Sequence, residues 1–152
     1  MLTVAPGLFK DHLLELRDMF KAHHVESTDN HVEFGGIYEE QYLDMEANGL
    51  LLCVSAKDYL GRLQGYMSCI LYVDPHNRIE SCGYIDAFFI GQAYRGPKAL
   101  KTIKEMFALM EQLCHNNGVT TMRVGTDQRR RVDPLLLRLG YWESDRIYTK
   151  KI

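Results

Sequence analysis

Residues 79–117 join an apolar strand pattern to an amphipathic helix pattern through a short polar crossing, and this unit constrains the fold more than any other stretch. The strand half contains Ile85 and the run 87–90, which is too apolar for a strand with one solvated face, so we expect it inside a sheet. The helix half repeats apolar residues at helical spacing from Ala99 to Cys114. This spacing predicts a helix that packs on the same sheet.

The crossing between the two halves ends in Tyr94-Arg95-Gly96 and is followed by Pro97, which the first turn of a helix tolerates. Asn116-Asn117-Gly118 provides a stop signal for the helix. A strand that enters a helix through a tight glycine turn directs several free N–H groups to one place. The sequence therefore predicts an anion site at the start of this helix.

Length and composition favour one domain, because 152 residues with 46% apolar content can bury a substantial core. The net charge of −2 gives no case for a nucleic-acid partner. The charges are divided unevenly, since residues 1–92 hold 6 Lys/Arg against 14 Asp/Glu and residues 93–152 hold 12 against 6. An anionic ligand should prefer the second part and a cationic ligand the first, unless the division is chance segregation on solvated faces.

The cysteines indicate a reducing compartment. All four lie inside predicted strands or the main helix, form no CxxC pair, and are interpreted as reduced core residues. The N-terminus lacks the apolar region of a signal peptide, and no segment approaches the length of a membrane span. We therefore expect a cytoplasmic protein without a membrane partner. The histidines near residue 24 lack metal-ligand spacing, so we predict no metal site.

The remaining elements complete the order β-α-α-β-β-β-α-β-α-β-β. This order predicts an α/β (α+β) domain over 1–152, with a mixed central sheet of about six to seven strands and helices on both faces. The expected strands besides the one near 85–90 are 2–4, 50–54, 65–73, 119–125 and a terminal hairpin of 141–143 with 146–151, and the expected helices besides the main one are 8–23, 37–47 and 133–139.

The element order, with segments 84–100 and 135–152, resembles the GNAT superfamily of acyl-CoA-dependent N-acyltransferases over nearly the whole chain. In that superfamily the fourth strand leads into a phosphate loop, Arg-Gly-x-Gly-x-Gly/Ala, and a Leu-Gly-Phe-like turn precedes the last two strands. This chain has Arg95–Leu100 at the first place and Leu139-Gly140-Tyr141 at the second. The resemblance implies a single GNAT-like domain with acetyl-CoA as cosubstrate, bound at Phe89, Ile90, Arg95, Gly96, Lys98, Ala99, Leu100 and Lys101.

The predicted phosphate loop departs from the superfamily pattern at three positions. Lys98 and Leu100 replace small residues that give the backbone room near the phosphates, and Pro97 removes one N–H donor. A hydrogen bond to a charged group contributes roughly 1.5–3 kcal/mol, so its loss weakens anion binding. Positive charge on Arg95, Lys98 and Lys101 can restore part of that affinity. The alternative is that these residues are an ordinary solvated helix start.

An amine nucleophile must lose a proton before it attacks a thioester, because its pKa is about 10.4. Asp86, in the apolar strand, is the candidate general base, with a paired structural carboxylate as the alternative. Many members of the superfamily protonate the leaving thiolate with a tyrosine that here aligns with Leu136. Tyr84 and Tyr148 are candidate substitutes if the fold brings them to the cleft; otherwise they are core tyrosines.

Two functions remain open at this stage. The first is an N-acetyltransferase that acts on an amine-bearing small molecule or protein by direct attack in a ternary complex. The second is a catalytically inactive binding or structural protein with the same fold, of the kind found among tailed bacteriophages, which would place it in the host cytoplasm or the virion. The predicted terminal hairpin also offers a sheet edge at which a second copy can pair, which is how a homodimer would form.

Overall fold

The computed structural model describes residues 1–27, 33–97, 99–126, 132–145, 150 and 152. It contains a five-stranded mixed sheet whose spatial order follows the chain, with antiparallel pairing between the first four strands and parallel pairing between the last two. The strands are β1 (Thr3–Gly7), β2 (Leu51–Lys57), β3 (Leu63–Val73), β4 (Ser81–Ile90) and β5 (Thr121–Val124).

Helices cover both faces of the sheet, as predicted. They are α1 (Leu13–Ser27), preceded by a 3₁₀ turn at Phe9–His12, α2 (Glu39–Ala47), α3 (Ala99–Asn116) and α4 (Asp133–Arg138). On one face α1 and α2 pack over alternate strand residues such as Cys53 and Tyr66. On the other face α3 and α4 pack over the intervening residues such as Val54 and Met67. This alternation is the period of two that strand geometry imposes.

The sheet is smaller than the six to seven strands expected from the sequence. The described residues contain five strands, and 141–145 have no strand structure. Most of the second arm of the predicted hairpin, 146–149 and 151, lies outside the described residues. Tyr141 instead packs its ring edge against Phe107 of α3, with 6.0 Å between the ring centroids, so it contributes to the core below the sheet.

The unit formed by β4 and α3 has the predicted architecture. The strand β4 lies between β3 and β5, and it has paired neighbours on both sides. The buried positions of α3, including Met106, Phe107 and Met110, form one face against the sheet. Gly118 has a φ of +77°, a left-handed conformation suited to glycine after a helix end.

The cysteines are all buried and free, in agreement with their interpretation as core thiols. Cys69 of β3 and Cys114 of α3 place their Sγ atoms 3.7 Å apart. Gly83 of β4 makes this contact possible, because a Cβ at position 83 would lie 2.9 Å from the Cys69 Sγ. No helix among the described segments has the length and apolar character needed to cross a membrane.

Candidate active site

Asp86 lies at an irregularity in the middle of β4. The antiparallel register pairs Ser68 with Ala87 and Cys69 with Ile85, so Asp86 is an extra residue without a partner on β3. Such a β-bulge re-aims a side chain and is common beside functional sites. The hydrogen-bonded pairing of β4 with β5 ends at Ile85 and Val124, so within the described part of the chain β4 continues past Asp86 without a neighbour on that side.

Tyr42 of α2 donates its hydroxyl hydrogen to Oδ2 of Asp86. Its ring is held by aromatic neighbours, since it stacks on Phe9 at 4.8 Å between centroids and lies 5.9 Å from Phe20. Burial, followed by the hydrogen bond to Asp86, raises the pKa of Tyr42 well above its usual value. The hydroxyl therefore keeps its proton at neutral pH and continues to donate to the carboxylate.

A cleft of about 320 Å³ opens beside the Tyr42–Asp86 pair. Its walls come from the segment before α2, from α2 itself and from the adjacent strands β3 and β4. The lining residues are Gly36, Ile37, Tyr38, Gln41, Tyr42, Met45, Ile70 and Asp86. A carboxylate that sits in such a cleft and faces a fixed hydroxyl donor is placed to accept a proton from a bound ligand.

Tyr84, one of the two tyrosines predicted as catalytic candidates, is not among the residues that line this cleft. Tyr84 pairs with Arg123 across the β4–β5 ladder, and its hydroxyl lies against Gly125, where an added Cβ would be 2.6 Å away. Tyr148 lies outside the described residues. Tyr141, which follows the Leu-Gly turn, donates its hydroxyl hydrogen to Glu111 of α3 at 3.2 Å, and burial raises its pKa.

The crossing between β4 and α3 forms a turn with open space in front of it. A 3₁₀ turn at Gln92–Tyr94 leads to Gly96, whose φ of +94° is left-handed, and a Cβ built on Gly96 would meet no described residue within 4 Å. The Gly96 carbonyl accepts the Ala99 N–H at 3.0 Å, which sets the start of α3. The first turn of a helix carries N–H groups that lack intrahelical partners.

The predicted phosphate-binding side chains after Gly96 differ in their surroundings. Ala99 is buried, whereas Leu100 is 37% exposed. The Lys101 ammonium lies 3.8 Å from the Glu105 carboxylate, one turn further along α3. Lys98 lies outside the described residues.

Arg95, the first residue of the predicted phosphate loop, is bound to other parts of the protein. Its Nε donates to the Ile90 carbonyl at 2.7 Å, and its terminal nitrogen lies 2.9 Å from a Glu26 carboxylate oxygen. Its guanidinium carbon also lies 5.1 Å from the centre of the Phe89 ring. The structure thus brings Phe89, Ile90 and Arg95 together, and it ties them to the end of α1 through Glu26.

Sequence reasoning missed two participants in this region, Tyr42 and Glu26. Each meets its partner across a large separation, 44 residues for Tyr42 and Asp86 and 69 for Glu26 and Arg95. The one signal for Tyr42 was its spacing of four residues from Tyr38 on an amphipathic helix, a pattern equally typical of core packing.

The described fold is similar to that of several solved acetyltransferase structures. A protein from Clostridium acetobutylicum described as a predicted acetyltransferase, crystallised with acetyl-CoA, superposes with a TM-score of 0.74 at 14% identity over 99% of this chain and 96% of that one. Glucosamine-6-phosphate N-acetyltransferase from Arabidopsis thaliana matches with a TM-score of 0.74 at 11% identity over 99% and 98%. The aminoglycoside N-acetyltransferase AAC(6′)-Iy in complex with CoA matches with 0.71 at 16% over 99% and 98%.

These likenesses show that the chain has the GNAT acetyltransferase fold, as the sequence resemblance implied. No protein-family profile matches the sequence, and no curated protein matches it either. At identities of 10–16% the similarity shows the fold alone. Any inference about chemistry therefore has to come from the residues of the site.

Proposed function

We propose that this protein is an N-acetyltransferase that transfers an acetyl group from acetyl-CoA to the amine of a small molecule or protein. The observation that carries the proposal is the Tyr42–Asp86 pair, which lies in a cleft at the point where β4 bulges and loses its β5 neighbour. The shared fold and the open turn before α3 support it. The free, buried cysteines support the cytoplasm as its compartment.

Asp86 acts as the general base in this reaction. The acceptor amine enters as an ammonium ion, pairs with the Asp86 carboxylate and gives it one proton, which leaves the nitrogen lone pair free to attack. Tyr42 orients the carboxylate and stays protonated because its pKa is raised. Acetyl-CoA supplies an activated acyl carbon and a thiolate leaving group, so the C–N bond forms as the C–S bond breaks. The acylated nitrogen then releases its second proton to solvent, the thiolate takes one up, and Asp86 returns its proton to solvent, which leaves a neutral amide and free CoA.

The start of α3 would hold the pyrophosphate. A Cβ built on Gly96 would meet no described residue within 4 Å, and the positive end of the helix dipole with Lys101 favours an anion there. Phe89 and Ile90 at the end of β4 would flank the pantetheine. Binding through the Arg95 side chain requires that this side chain exchange Glu26 for phosphate.

A second candidate function, a non-catalytic binding protein with the GNAT fold, is favoured by the contacts of Arg95. The guanidinium is already neutralised by Glu26, and Pro97 contributes no N–H to the turn. In a protein that no longer binds the cosubstrate, Arg95 is expected to pair with another residue of the protein, as it does here with Glu26.

Calorimetric titration with acetyl-CoA, followed by an assay of free CoA thiol with a panel of amines, tests the proposal. We expect saturable binding and amine-dependent release of the thiol. Absence of both heat and transfer would reject the enzyme in favour of the binding protein. Desulfo-CoA is the control ligand, because it should bind at the same turn without supporting transfer.

A further inference from the structure

The walls of the cleft beside Asp86 combine apolar and polar groups. Ile37, Met45 and Ile70 present aliphatic or thioether surface, and the rings of Tyr38 and Tyr42 complete the walls. Among the described residues that line the cleft, Asp86 is the one charged group and Gln41 is the one neutral polar side chain apart from the two tyrosines. The described lining therefore offers one anion, three other polar side chains and a patch of aliphatic and aromatic surface.

The carboxylates of α2 do not line this cleft. The excess of acidic residues in the first part of the chain had suggested that they would attract a cationic ligand. Glu39 forms a bidentate ion pair with Arg17 of α1. Glu46 accepts the backbone N–H groups of Phe9 and Lys10 at the 3₁₀ turn. These carboxylates hold α2 against the preceding elements, and neither is among the residues that line the cleft.

Tyr38 gives the entrance of the cleft an aromatic character. It lies just before α2, one helical turn ahead of Tyr42, and its side chain is 79% exposed. An exposed ring that also lines a cleft gains buried area when a flat apolar group stacks on it, and its face attracts a nearby ammonium ion. The Tyr42 hydroxyl is already committed to Asp86, so this ring offers mainly its apolar surface.

We propose that the acceptor is a primary monoamine carried on a compact apolar body, such as an arylalkylamine, with its ammonium group on Asp86 and its ring against Tyr38. This inference rests on the proposed acetyl transfer. A cleft of about 320 Å³ suits a ligand of this size. A polycationic amine finds one carboxylate among the described lining residues, and a sugar amine has no aromatic ring to stack on Tyr38.

This assignment separates the chain from relatives whose names indicate polar acceptors, namely glucosamine-6-phosphate and aminoglycosides. A sugar phosphate requires a cationic partner, yet neither Lys nor Arg is found among the described cleft residues. An aminoglycoside carries several ammonium groups, and the same residues include one carboxylate for them.

The first test compares kcat/KM for 2-phenylethylamine, ethylamine, glucosamine, glucosamine 6-phosphate and kanamycin. We expect 2-phenylethylamine to exceed the three sugar amines by about tenfold, because its ring can stack on Tyr38 and theirs cannot. A sugar amine that matches or exceeds 2-phenylethylamine would overturn the inference while the acetyl transfer itself stands.

The second test removes the ring at the entrance. Tyr38→Ala should lower the preference for 2-phenylethylamine over ethylamine by about tenfold, since a buried aromatic contact is lost, and Tyr38→Phe should restore it. Tyr59→Ala is the matched control, because Tyr59 is 88% exposed in the β2–β3 connection, away from the cleft. An unchanged preference in Tyr38→Ala would mean that the Tyr38 ring does not contribute to recognition of the acceptor.

Direct binding separates failure of this inference from failure of the proposed function. Calorimetry with 2-phenylethylamine alone should show binding that Tyr38→Ala weakens and Tyr59→Ala does not. Such binding without transfer to any amine would leave the ligand class assigned and reject the transferase. Absence of binding together with absence of transfer would reject both.

Discussion

The two ends of β4 differ sharply in how completely their polar groups are satisfied. At its start the strand is paired on both sides, and the Arg123 guanidinium of β5 closes the end by bonding Asp74 at 2.9 Å and the Tyr72 hydroxyl at 3.0 Å. Beyond Ile85 the strand bulges and opens to the cleft on one face. One strand thus has a closed end that holds the sheet together and an open end that presents Asp86.

At the closed end the acidic side chains are paired with a cation of the protein. Asp74, Glu80 and Cys82 place ligand atoms within 4.8 Å of one another, but the Arg123 guanidinium already contacts both carboxylates. At the open end the corresponding carboxylate faces a neutral hydroxyl instead of a cation. Asp86 therefore remains available to a cationic ligand, whereas Asp74 is neutralised internally.

The largest effect should come from Asp86→Asn at the open end. The amide can still accept the Tyr42 hydrogen bond, but it cannot take a proton, so kcat/KM should fall by about 10² to 10⁴. The thermal midpoint should stay near that of the parent protein. Steady-state assays of thiol release and melting curves of both proteins measure these two quantities. Retained activity in Asp86→Asn would mean that another residue is the general base.

A smaller loss is expected when the donor to Asp86 is removed. Tyr42→Phe keeps the ring stacked on Phe9 but removes the hydroxyl, and a hydrogen bond to a charged group is worth roughly 1.5–3 kcal/mol, so kcat/KM should fall at least about tenfold. The raised pKa of Tyr42 keeps the hydroxyl protonated across the neutral range. The alkaline limbs of the two pH–rate profiles should therefore coincide up to about pH 10; an alkaline limb that disappears in Tyr42→Phe would contradict this.

A modest gain is expected from the turn before α3. Glu26→Gln should free the Arg95 guanidinium for phosphate and tighten CoA binding by about two- to fivefold, because a partly exposed ion pair is worth at most about 1 kcal/mol. Asp18→Asn, an exposed acid on the same helix α1, controls for the general loss of negative charge. Equal gains in both variants would mean that Arg95 does not reach the phosphates.

The strand β4 and the helix α3 could be predicted from the sequence, but the contacts that their residues make could not. Apolar spacing placed β4 and α3 because strand and helix periods are local properties. The bulge that turns Asp86 toward the cleft is a register shift against β3, which no local pattern encodes. The strand expected at 141–143 is absent, and the Tyr141 ring packs on Phe107 of α3, a contact between distant residues that strand propensity does not encode.

Asp74→Asn at the closed end should have the opposite profile to Asp86→Asn, with reduced stability and unchanged activity per folded molecule. The His76 backbone N–H, and then Arg123, hold the pKa of Asp74 below its usual value, so its ionised form is favoured in the folded state. A lowered folded pKa contributes stability that is fully present above the unfolded value of about 3.9 and is lost as the pH falls through the folded one. Urea denaturation of both proteins should therefore show a gap that is largest near neutral pH and closes below about pH 4. A gap that widens on acidification would mean that Arg123 does not stabilise the charged form of Asp74, and the contrast between the two ends of β4 would then have to rest on hydrogen-bond pairing alone.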